Sequence, residues 1–458
     1  MSAPGVLIAA PGSGAGKTTL TLGLVRALRR GGRAVASFKV GPDYIDPRFH
    51  GHASGRPCLN LDPWAMRLET LAGLADRIAA DVQLVIGEGV MGLFDGAKDG
   101  RGSTAELASL FDLPVILVVD AGGMGASAAA LVEGFTRYRD DVEVAAVIFN
   151  RVRSPAHADV LRRACDDRFA QPVLGCLPQD ERLGLPERHL GLVQADEHPA
   201  LERFLEGAAD RVAAEVDLER LARIARPFGL GLYGPPPRPL RPLGQRIALA
   251  RDRAFAFAYE ATIEGWRIAG AEVVPFSPLA DQPPDPAADA VFLPGGYPEL
   301  HAGRLAANRT FLDGLRARAA AGAFVYGECG GFMTLGEALI DREGAAHAMA
   351  GLLPVTTSFA KPRLHLGYRR LRLLEPATLG QAGTTYRGHE FHYAALIAQG
   401  DAAALFEAAD ATGHHLGRHG ARRGTVAGSF IHLIDRTTEP ADAFADRRSR
   451  LRAIDTPG

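Results

Sequence analysis

A cysteine in the C-terminal half has the surroundings of a nucleophile. Cys329 lies in FVYGECGGFMTLG (324–336), where a strand-like apolar run is followed by glycines and then by a helix-like run. This G-x-nucleophile-x-G pattern is typical of a tight strand-to-helix turn that presents a side chain for attack. We expect an exposed thiol whose pKa is lowered by the following helix N-terminus. The flanking glycines disfavour the alternative, a buried structural cysteine.

A thiol nucleophile needs a base and donors for the oxyanion that forms during attack. His432, at the end of the apolar run in AGSFIHLID, is the candidate base, and His389 and His392 in YRGHEFHY are its rivals. The candidate oxyanion donors are the backbone groups of Gly295, Gly296 and Gly330. The position two residues after His432 is Ile434, so the sequence identifies no acid for a catalytic triad. The histidines within 414–419 lie in a Gly/Arg-rich segment that we expect to be a solvated loop.

The N-terminal end of the chain carries a loop suited to nucleotide phosphates. GSGAGKTT (12–19) follows the apolar run VLIAA and begins a helix-like run, which is the context of a P-loop. Glycines turn backbone N–H groups towards phosphate oxygens, Lys17 neutralises the β- and γ-phosphates, and Thr18 offers a hydroxyl to Mg²⁺. Pro11 stands where the strict pattern has its first glycine. The predicted ATP-binding residues are Gly12, Ser13, Gly14, Ala15, Gly16, Lys17, Thr18 and Thr19, with Asn150 reading the adenine edge.

Charged side chains follow the next two predicted strands. KVGPDYIDP places Lys39, Asp43 and Asp46 after the second strand, and IGEGVMGLFDG places Glu88 and Asp95 after the third. In an open α/β sheet, ligands bind outside the carboxyl ends of the strands, so these groups should meet the phosphates. The predicted Mg²⁺ ligands are Thr18, Asp43 and Glu88.

The elements that position these residues alternate between short apolar runs and longer amphipathic segments. Predicted strands in the first half are 5–10, 34–40, 82–88, 114–121, 144–150 and 172–177. Runs this apolar indicate strands buried on both faces, and the intervening helices indicate βαβ units. We therefore predict an α/β, doubly wound parallel sheet of the P-loop type over 1–225.

A Pro/Gly-rich segment, 226–244, separates the two halves. Such a composition does not continue a helix or a sheet, so we predict a semi-rigid linker there. A second α/β domain is predicted over 245–440, with strands at 246–252, 272–278, 290–296 and 323–328, and a tail over 441–458.

Bulk properties exclude several classes of protein. A chain of 458 residues exceeds one ordinary core, which favours two domains. The net charge of −2 argues against a nucleic-acid or membrane-surface binder. Four scattered cysteines fit a reducing cytosol rather than a disulfide framework. Neither a signal peptide nor an apolar run long enough to cross a membrane is present, so we expect a cytoplasmic protein.

Together these motifs resemble a known family. The second half resembles class I glutamine amidotransferases, and the first resembles dethiobiotin-synthetase-like P-loop enzymes, which activate a carboxylate. FKVGPDYIDP, GEGVMGLFDG, PGGYPEL, YGECGGFMTLG, GHEFHY and GSFIHL follow one another as in the a,c-diamide synthases of cobalamin biosynthesis. That family acts on cobyrinic or hydrogenobyrinic acid. The resemblance covers almost the whole chain and places Cys329 and His432 on the family's nucleophile and its activating histidine.

The resemblance implies a division of labour. ATP with Mg²⁺ would turn a substrate carboxylate into an acyl phosphate, while glutamine hydrolysis would supply unprotonated ammonia through an interior passage. The side chains expected to contact the ring substrate or ammonia are Lys39, Asp43, Tyr44, Asp46 and Asp95. Arg48, Lys98 and Arg101 are expected to pair with the substrate's other carboxylates. Related P-loop folds also favour a homodimer.

Three alternatives stay open at this point. The same chemistry could act on nickel-sirohydrochlorin, or on other side chains as in a cobyric-acid-type synthase. A ParA/MinD-like ATPase switch has a lysine early in its loop, where this chain has Gly12, and lacks a fused thiol domain. A thiol hydrolase with a regulatory nucleotide domain would turn over without stoichiometric ATP consumption. The motifs do not distinguish a metal-free from a cobalt-containing ring, nor the order of the two amidations.

Overall fold

The N-terminal part of the chain folds around one parallel sheet. The computed structural model describes residues 3–180, 183–184, 187–188, 191–231 and 238–437. The strands of this sheet are β1 (Pro4–Ala9), β2 (Val35–Val40), β3 (Leu59–Leu61), β4 (Leu84–Glu88), β5 (Val115–Asp120), β6 (Val144–Val152) and β7 (Val173–Pro178). They lie in the order β3-β2-β4-β1-β5-β6-β7, and every neighbouring pair is parallel. The parallel sheet predicted from the apolar runs is confirmed, because strands covered on both faces have no polar side to show.

Helices connect these strands. They are α1 (Lys17–Arg30), α2 (Asp46–Ser54), α3 (Leu68–Ile78), α4 (Thr104–Phe111), α5 (Ser127–Arg137), α6 (Pro155–Asp166), α7 (Leu201–Glu215) and α8 (Leu218–Ile224). A short hairpin, β8 (Glu187–Arg188) with β9 (Gly191–Leu192), precedes α7. The carboxyl ends of β1, β2 and β4 therefore lead directly into the phosphate loop and the two acidic loops.

The first residues of the predicted linker belong to the sheet. β10 (Arg226–Pro227) pairs antiparallel with β1. Phe228 is fully buried, and its ring stacks on Phe38 and Phe111 with centroids 5.1 and 5.4 Å apart. The expectation that 226–244 would not continue a sheet is therefore wrong at its start. An edge strand tolerates Pro227, since it needs few backbone donors.

The C-terminal part contains a second sheet that is parallel except at one edge strand, a mixed sheet and an antiparallel sheet. Its strands are β11 (Arg246–Ala250), β12 (Glu272–Phe276), β13 (Ala290–Leu293), β14 (Phe324–Glu328), β15 (Ala338–Ile340), β16 (Ala346–Ala348), β17 (Val355–Ser358), β18 (His365–Leu373), β19 (Thr385–His392), β20 (Ala395–Gln399), β21 (Phe406–Asp410), β22 (His415–His419), β23 (Ala421–Arg423), β24 (Val426–Ser429) and β25 (Ile431–Thr437). Its helices are α9 (Glu260–Ile268), α10 (Ala302–Ala307), α11 (Arg309–Ala320) and α12 (Gly330–Leu335). The three sheets run β12-β11-β13-β14-β24-β23, β16-β15-β17-β20 and β22-β21-β18-β19-β25.

Two expectations for this part need correction. The predicted strand 290–296 stops at Leu293, so Gly295 and Gly296 lie in the turn beyond it. The segment around 414–419 is not a loop, because β22 pairs with β21 and the exposed His415 lies 3.0 Å from Glu407 Oε1. The predicted tail, 441–458, lies outside the described residues. Within those described residues, no helix combines the length and apolar character needed to cross a bilayer.

The segment between β3 and α3 joins the two halves through buried polar contacts. The Tyr368 hydroxyl donates to Asp62 Oδ2 at 2.9 Å, and the Tyr368 ring stacks on Trp64 with centroids 4.4 Å apart. The Arg67 guanidinium lies 2.9 Å from Asp435 Oδ1, and the Arg67 backbone N–H donates to Asp435 Oδ2 at 2.9 Å. Burial raises the pKa of Asp435 to about 6, while Arg67 opposes that rise. The interface therefore depends on charge pairing as well as on apolar packing.

Replacing Arg67 by alanine tests this interface. Because the Asp435 side chain is fully buried, the variant would leave a buried carboxylate without its guanidinium and should lose about 3 kcal/mol of stability. We expect a lower midpoint in thermal unfolding at pH 8, where the carboxylate is ionised. Arg223→Ala, on the exposed surface of α8, is the matched control. Equal midpoints for the two variants would show that the pair does not hold the halves together.

Candidate active site

Cys329 occupies the predicted turn between β14 and α12. Its backbone has φ 48° and ψ −105°, a region that few residues with a side chain adopt. The Cys329 N–H donates to Ser429 O at 2.8 Å, which fixes the turn to the neighbouring strand. A Cβ on Gly331 would collide with the carbonyl of Leu293, so the helix can start this close to β13 only with glycine there. Strain held in this way is common where a side chain is positioned for chemistry.

The thiol is buried, contrary to the sequence-based expectation. Cys329 is 1% exposed, and its Sγ lies 3.8 Å from the carbonyl of Phe391 on β19. Burial raises the pKa of Cys329 well above its usual range, and the charge of Glu299 adds to the rise. The Gly330 N–H lowers the pKa, but α12 has only six residues and the effect is smaller than that of burial. The prediction of an exposed thiol with a lowered pKa is therefore wrong.

His432, the predicted base, is next to the thiol. A Cβ placed on Gly295 would lie 2.9 Å from His432 Nε2 and 3.1 Å from Cys329 Cβ, so both side chains face the same point. His432 is fully buried, and burial together with the charge of His389 would lower its pKa to about 3. A neutral imidazole with Nε2 on the thiol side is able to accept the proton of Cys329.

The three predicted oxyanion glycines surround this point. The carbonyl of Gly295 accepts the Phe257 N–H at 2.9 Å, which holds the turn after β13. A Cβ on Gly330 would lie 3.2 Å from the backbone nitrogen of Gly296. Gly296 has φ 157°, and a side chain there would collide with Ala254 O. Backbone amides therefore gather beside the thiol, as stabilisation of an oxyanion requires.

The two rival histidines have other neighbours. His389 lies opposite His432 in the pairing of β19 with β25, and burial lowers its pKa to about 3. His392 has Nδ1 2.9 Å from Ala394 O and Nε2 2.9 Å from Glu390 Oε1. His432 is therefore the histidine best placed to act as the base.

The phosphate loop forms between β1 and α1. Gly14 and Gly16 have φ of 80° and 85°, a left-handed conformation that glycine adopts without strain. Lys17 Nζ donates to Met91 O at 2.5 Å and to Gly12 O at 3.3 Å, so its side chain lies along the loop. Burial lowers the pKa of Lys17, while the charge of Glu88 opposes that effect.

Asn150 lies behind the loop rather than in front of it. Its Nδ2 donates to Ala15 O at 2.9 Å, and a side chain at Gly16 would collide with it. Asn150 also lines a cavity of about 220 Å³ together with Gly16 and Thr19. Contact with adenine stays a prediction, while support of the loop is what the geometry shows.

The predicted acidic residues converge on one buried lysine. Lys39 Nζ lies 2.6 Å from Asp46 Oδ2, 2.7 Å from Glu88 Oε1 and 3.9 Å from Asp43 Oδ2. The Thr18 hydroxyl donates to Glu88 Oε1 at 2.7 Å and lies 3.4 Å from Asp46 Oδ2. The carboxyl ends of β1, β2 and β4 thus bring together residues that are far apart in sequence.

One residue that the sequence did not identify belongs to this cluster, and one predicted member lies outside it. His50, on α2, lies 2.6 Å from Glu88 Oε2 and was not identified from sequence, because a lone histidine on a helix gives no signal. Asp95 does not join the carboxylates around Lys39; it accepts the Gly92 N–H at 2.9 Å and holds the loop after β4.

Three carboxylates, those of Asp43, Asp46 and Glu88, lie around Lys39 in this cluster. Burial and the negative charge of Asp43 raise the pKa of Asp46 to about 7, although Lys39 opposes the rise. Burial would also raise the pKa of Glu88, but Lys39 and His50 bring it below its usual range. A divalent cation beside Thr18 would lower the pKa of Asp46 and stabilise its ionised form.

Tyr44 connects the phosphate site to the thiol site. It follows Asp43 in the loop after β2, and its ring centroid lies 4.4 Å from that of His432. Its hydroxyl lies 3.4 Å from Nδ1 of His389. The ring is 8% exposed, so the contact excludes most of the solvent between the two sites.

A cavity of about 470 Å³ opens beside Tyr44, between the two halves. Its walls are mainly apolar and include Ile45, Val90, Met91, Phe257, Leu366 and Phe391. Asp43, Asp46 and Lys98 lie on the side of the phosphate site, and Arg369 and His389 lie on the side of the thiol. The volume and the few charged groups are those of a site for an organic ligand.

The cationic side chains predicted to bind substrate carboxylates lie in different places. Lys98 lines the 470 Å³ cavity, 3.9 Å from Asp410 Oδ2. Arg48 lines a second cavity of about 440 Å³ on the other side of Tyr44, together with Arg251. Arg101 instead lies 2.7 Å from Asp99.

Comparisons with known proteins match each half of the chain to a protein family. A family described as the CobQ/CobB/MinD/ParA nucleotide binding domain matches residues 6–193, and one described as the CobB/CobQ-like glutamine amidotransferase domain matches 246–439. Proteins named hydrogenobyrinate a,c-diamide synthase from Brucella anthropi and Sinorhizobium are each 55% identical to this chain, over 95% and 94% of it and over 100% and 98% of their own lengths. One of the same name from Rhodobacter capsulatus is 54% identical over 94% of this chain and 98% of its own.

The burial of Cys329 has a measurable consequence. Since burial raises the pKa of this thiol and limits access to it, iodoacetamide should alkylate Cys329 more slowly than free cysteine at pH 7. The rate should rise as the pH increases beyond the pKa of free cysteine. Mass spectrometry of the modified peptide would measure it, with Cys329→Ser as the control. Faster reaction than free cysteine at pH 7 would contradict the buried, protonated thiol.

Proposed function

Because the chain belongs to the hydrogenobyrinate a,c-diamide synthase family of ATP- and glutamine-dependent amidotransferases, we propose that it amidates the a and c carboxylates of hydrogenobyrinic acid in cobalamin biosynthesis. The observation that carries this proposal is the contact of Tyr44 with His432. The loop that carries Tyr44 therefore contacts the Cys329–His432 pair on one side and the phosphate site on the other. An enzyme that releases ammonia at one site and uses it at another requires that arrangement.

The thiol half releases ammonia from glutamine. His432 Nε2 takes the proton of Cys329, and the sulfur attacks the side-chain amide carbon of glutamine. The oxyanion that forms is stabilised by the amides of the glycine turns. His432 then gives its proton to the leaving nitrogen, the C–N bond breaks, and ammonia departs from a thioester. Water, deprotonated by His432, cleaves the thioester, so glutamate leaves and the thiol regains its proton.

The phosphate half prepares the acceptor. Lys17 and the loop amides bind the β- and γ-phosphates of ATP. A carboxylate of the ring substrate attacks the γ-phosphorus, the bond to the bridging oxygen breaks, and ADP leaves. The acyl phosphate that results has a good leaving group, so ammonia displaces phosphate and an amide forms. Lys39 holds Asp46 and Glu88 in place next to the reacting carboxylate. Amidation of one side chain and then of the other accounts for the diamide product.

Magnesium fits the residues beside the loop. The carboxylates of Glu88 and Asp46 both lie within hydrogen-bonding distance of the Thr18 hydroxyl, and Asp43 precedes Asp46 in the same segment. Hard oxygen donors of this kind are those that Mg²⁺ prefers. Burial and the charge of Asp43 raise the pKa of Asp46, so a bound cation would favour the ionised form of this carboxylate. When bound, the ion would neutralise the charge that develops on the phosphates.

The cavity between the halves suits a tetrapyrrole. Its apolar walls match the face of the ring, while Lys98 and Arg369 offer partners for peripheral carboxylates. Asp43 and Asp46 lie where the carboxylate to be activated would meet the phosphate loop. The names of the relatives favour hydrogenobyrinic acid over nickel-sirohydrochlorin. A ParA/MinD-like switch would have no use for the buried thiol–histidine pair. The homodimer stays a prediction, which light scattering can check.

Cys329→Ala tests the release of ammonia. Without the sulfur, no thioester forms, so glutamine-dependent amidation of hydrogenobyrinic acid should fall by at least about 10³-fold. Activity with ammonium chloride should stay within about twofold of wild type. Mass spectrometry counts the amides added to the ring, and Cys176→Ala, another buried cysteine, is the control. Loss of both activities would show that ammonia is not made at a separate site.

Glu88→Gln tests the phosphate half in the opposite direction. The change removes a buried negative charge that contacts Thr18 and Lys39, so ATP-dependent amidation should fall by about 10²-fold or more. Glutamate release from glutamine should remain. Phosphate release and glutamate release, measured in the same reaction, separate the two effects. Glu133→Gln, at a half-exposed position on α5, should match wild type, and normal amidation by the Glu88 variant would remove Glu88 from the site.

A further inference from the structure

Glu328 occupies an unusual position beside the catalytic pair. It is the last residue of β14 and directly precedes Cys329 in the chain. The side chain is buried, and its Oε2 lies 3.6 Å from Nδ1 of His432. The other oxygen, Oε1, accepts the Leu433 N–H at 3.1 Å, so the carboxyl group is bound to the strand that carries the histidine.

The two nitrogens of His432 face different partners. Nε2 lies on the side of Gly295 and Cys329, whereas Nδ1 lies on the side of Glu328. Within the described residues, neither nitrogen of His432 forms a hydrogen bond, and the Glu328 carboxylate lies 3.6 Å from Nδ1. A buried imidazole must be held in the tautomer that leaves Nε2 free for the thiol proton, and a carboxylate at Nδ1 does this.

Another nearby carboxylate has its own partners. Glu390 lies 2.7 Å from Arg369 and 2.9 Å from His392. The position two residues after His432, where an acid would follow the histidine in the chain, holds the apolar Ile434. Glu328 is thus the acid whose carboxylate the structure brings to Nδ1.

We propose that Glu328 is the positioning residue of the glutamine site, supplied by the strand that ends at the nucleophile rather than by the segment after the histidine. The inference rests on glutamine hydrolysis as proposed above. Glu328 holds the Nδ1 proton throughout, while Nε2 takes the proton of Cys329 and returns it to the leaving nitrogen. The 3.6 Å separation shortens to a hydrogen bond when glutamine fills the site and the imidazolium forms.

The surroundings of the pair are titratable on several sides. Four titratable groups lie near His432. They are Tyr44 in the loop after β2, His389 and His392 on β19, and Cys329 in the turn between β14 and α12. Tyr326, two residues before Glu328 on β14, faces the carboxylate. Burial raises the pKa of Glu328 to about 8, so the positive charge that forms on His432 during the reaction is what favours its ionised form.

Glu328→Gln tests the proposal through glutamate release from glutamine. We expect kcat to fall by about 10²-fold with little change in KM, because Glu328 acts on His432 from the Nδ1 side, away from the thiol. Ammonium-dependent amidation should stay near the wild-type rate. The acidic limb of the profile of kcat against pH should move to lower pH, since in the glutamine complex an amide stabilises the imidazolium less than a carboxylate. Glu328→Asp, which keeps the charge on a shorter side chain, should restore part of the lost rate.

Glu337→Gln is the matched control, because this exposed glutamate lies just beyond α12. The proposal is overturned if Glu328→Gln keeps the wild-type kcat, if its pH profile is unchanged, or if glutamine- and ammonium-dependent activities fall together. Failure of the proposed function would look different. In that case, wild-type enzyme would release glutamate but amidate no ring with either nitrogen source, and the comparison of the Glu328 variants would still hold.

Discussion

The contact between Tyr44 and His432 is the interaction on which the two-site arrangement depends. Tyr44 belongs to the loop whose neighbouring residues, Asp43 and Asp46, surround Lys39 beside the phosphate loop. Its ring nevertheless lies against the histidine of the thiol site. In a parallel sheet, the loops that bind ligands follow the carboxyl ends of the strands. Two parallel sheets can therefore share a site only if these ends face each other. The buried contacts of Asp62 and Arg67 with the C-terminal sheet hold the ends in that position.

Burial has opposite effects on the groups of the thiol site, and together these effects favour a neutral resting state. It raises the pKa of Cys329 and lowers the pKa of His432 to about 3, so neither group carries charge before glutamine arrives. A thiolate–imidazolium pair then forms only when the substrate and the oxyanion donors are present to stabilise it. The same exclusion of water serves ammonia, which attacks a carbonyl only in its unprotonated form. A thiol activated by exposure would react with other electrophiles and would release ammonia into solvent.

The sequence predicts the parts of this molecule that local physics determines. Apolar runs ending in Val40 or Glu88 indicate buried strands, and the glycines around Lys17 and Cys329 indicate turns, because each signal is contained within a few residues. The antiparallel strands after residue 364 are missed, since their alternation is interrupted by histidines and arginines, of which Arg369 and His389 line the cavity. The burial of Cys329 is missed for a related reason. The residues that cover it come from β19, some sixty positions later in the chain, and no local pattern reports on them.

The acid beside His432 illustrates why spacing alone does not reveal a catalytic group. An acid two residues after a histidine is a pattern in one strand, and it can be sought in the sequence. Glu328 reaches Nδ1 because β14 pairs with β24, which places the end of one strand beside the start of β25. Before the structure, Glu328 is only a charged residue within a buried strand, as Glu88 is in the other half. Each of these glutamates is the last residue of a parallel strand. Glu88 contacts Lys39 and His50, and Glu328 lies beside His432. A charge at the last position of an apolar strand is costly unless the fold brings it a partner, and the two buried examples, Glu88 and Glu328, lie in the two reacting sites.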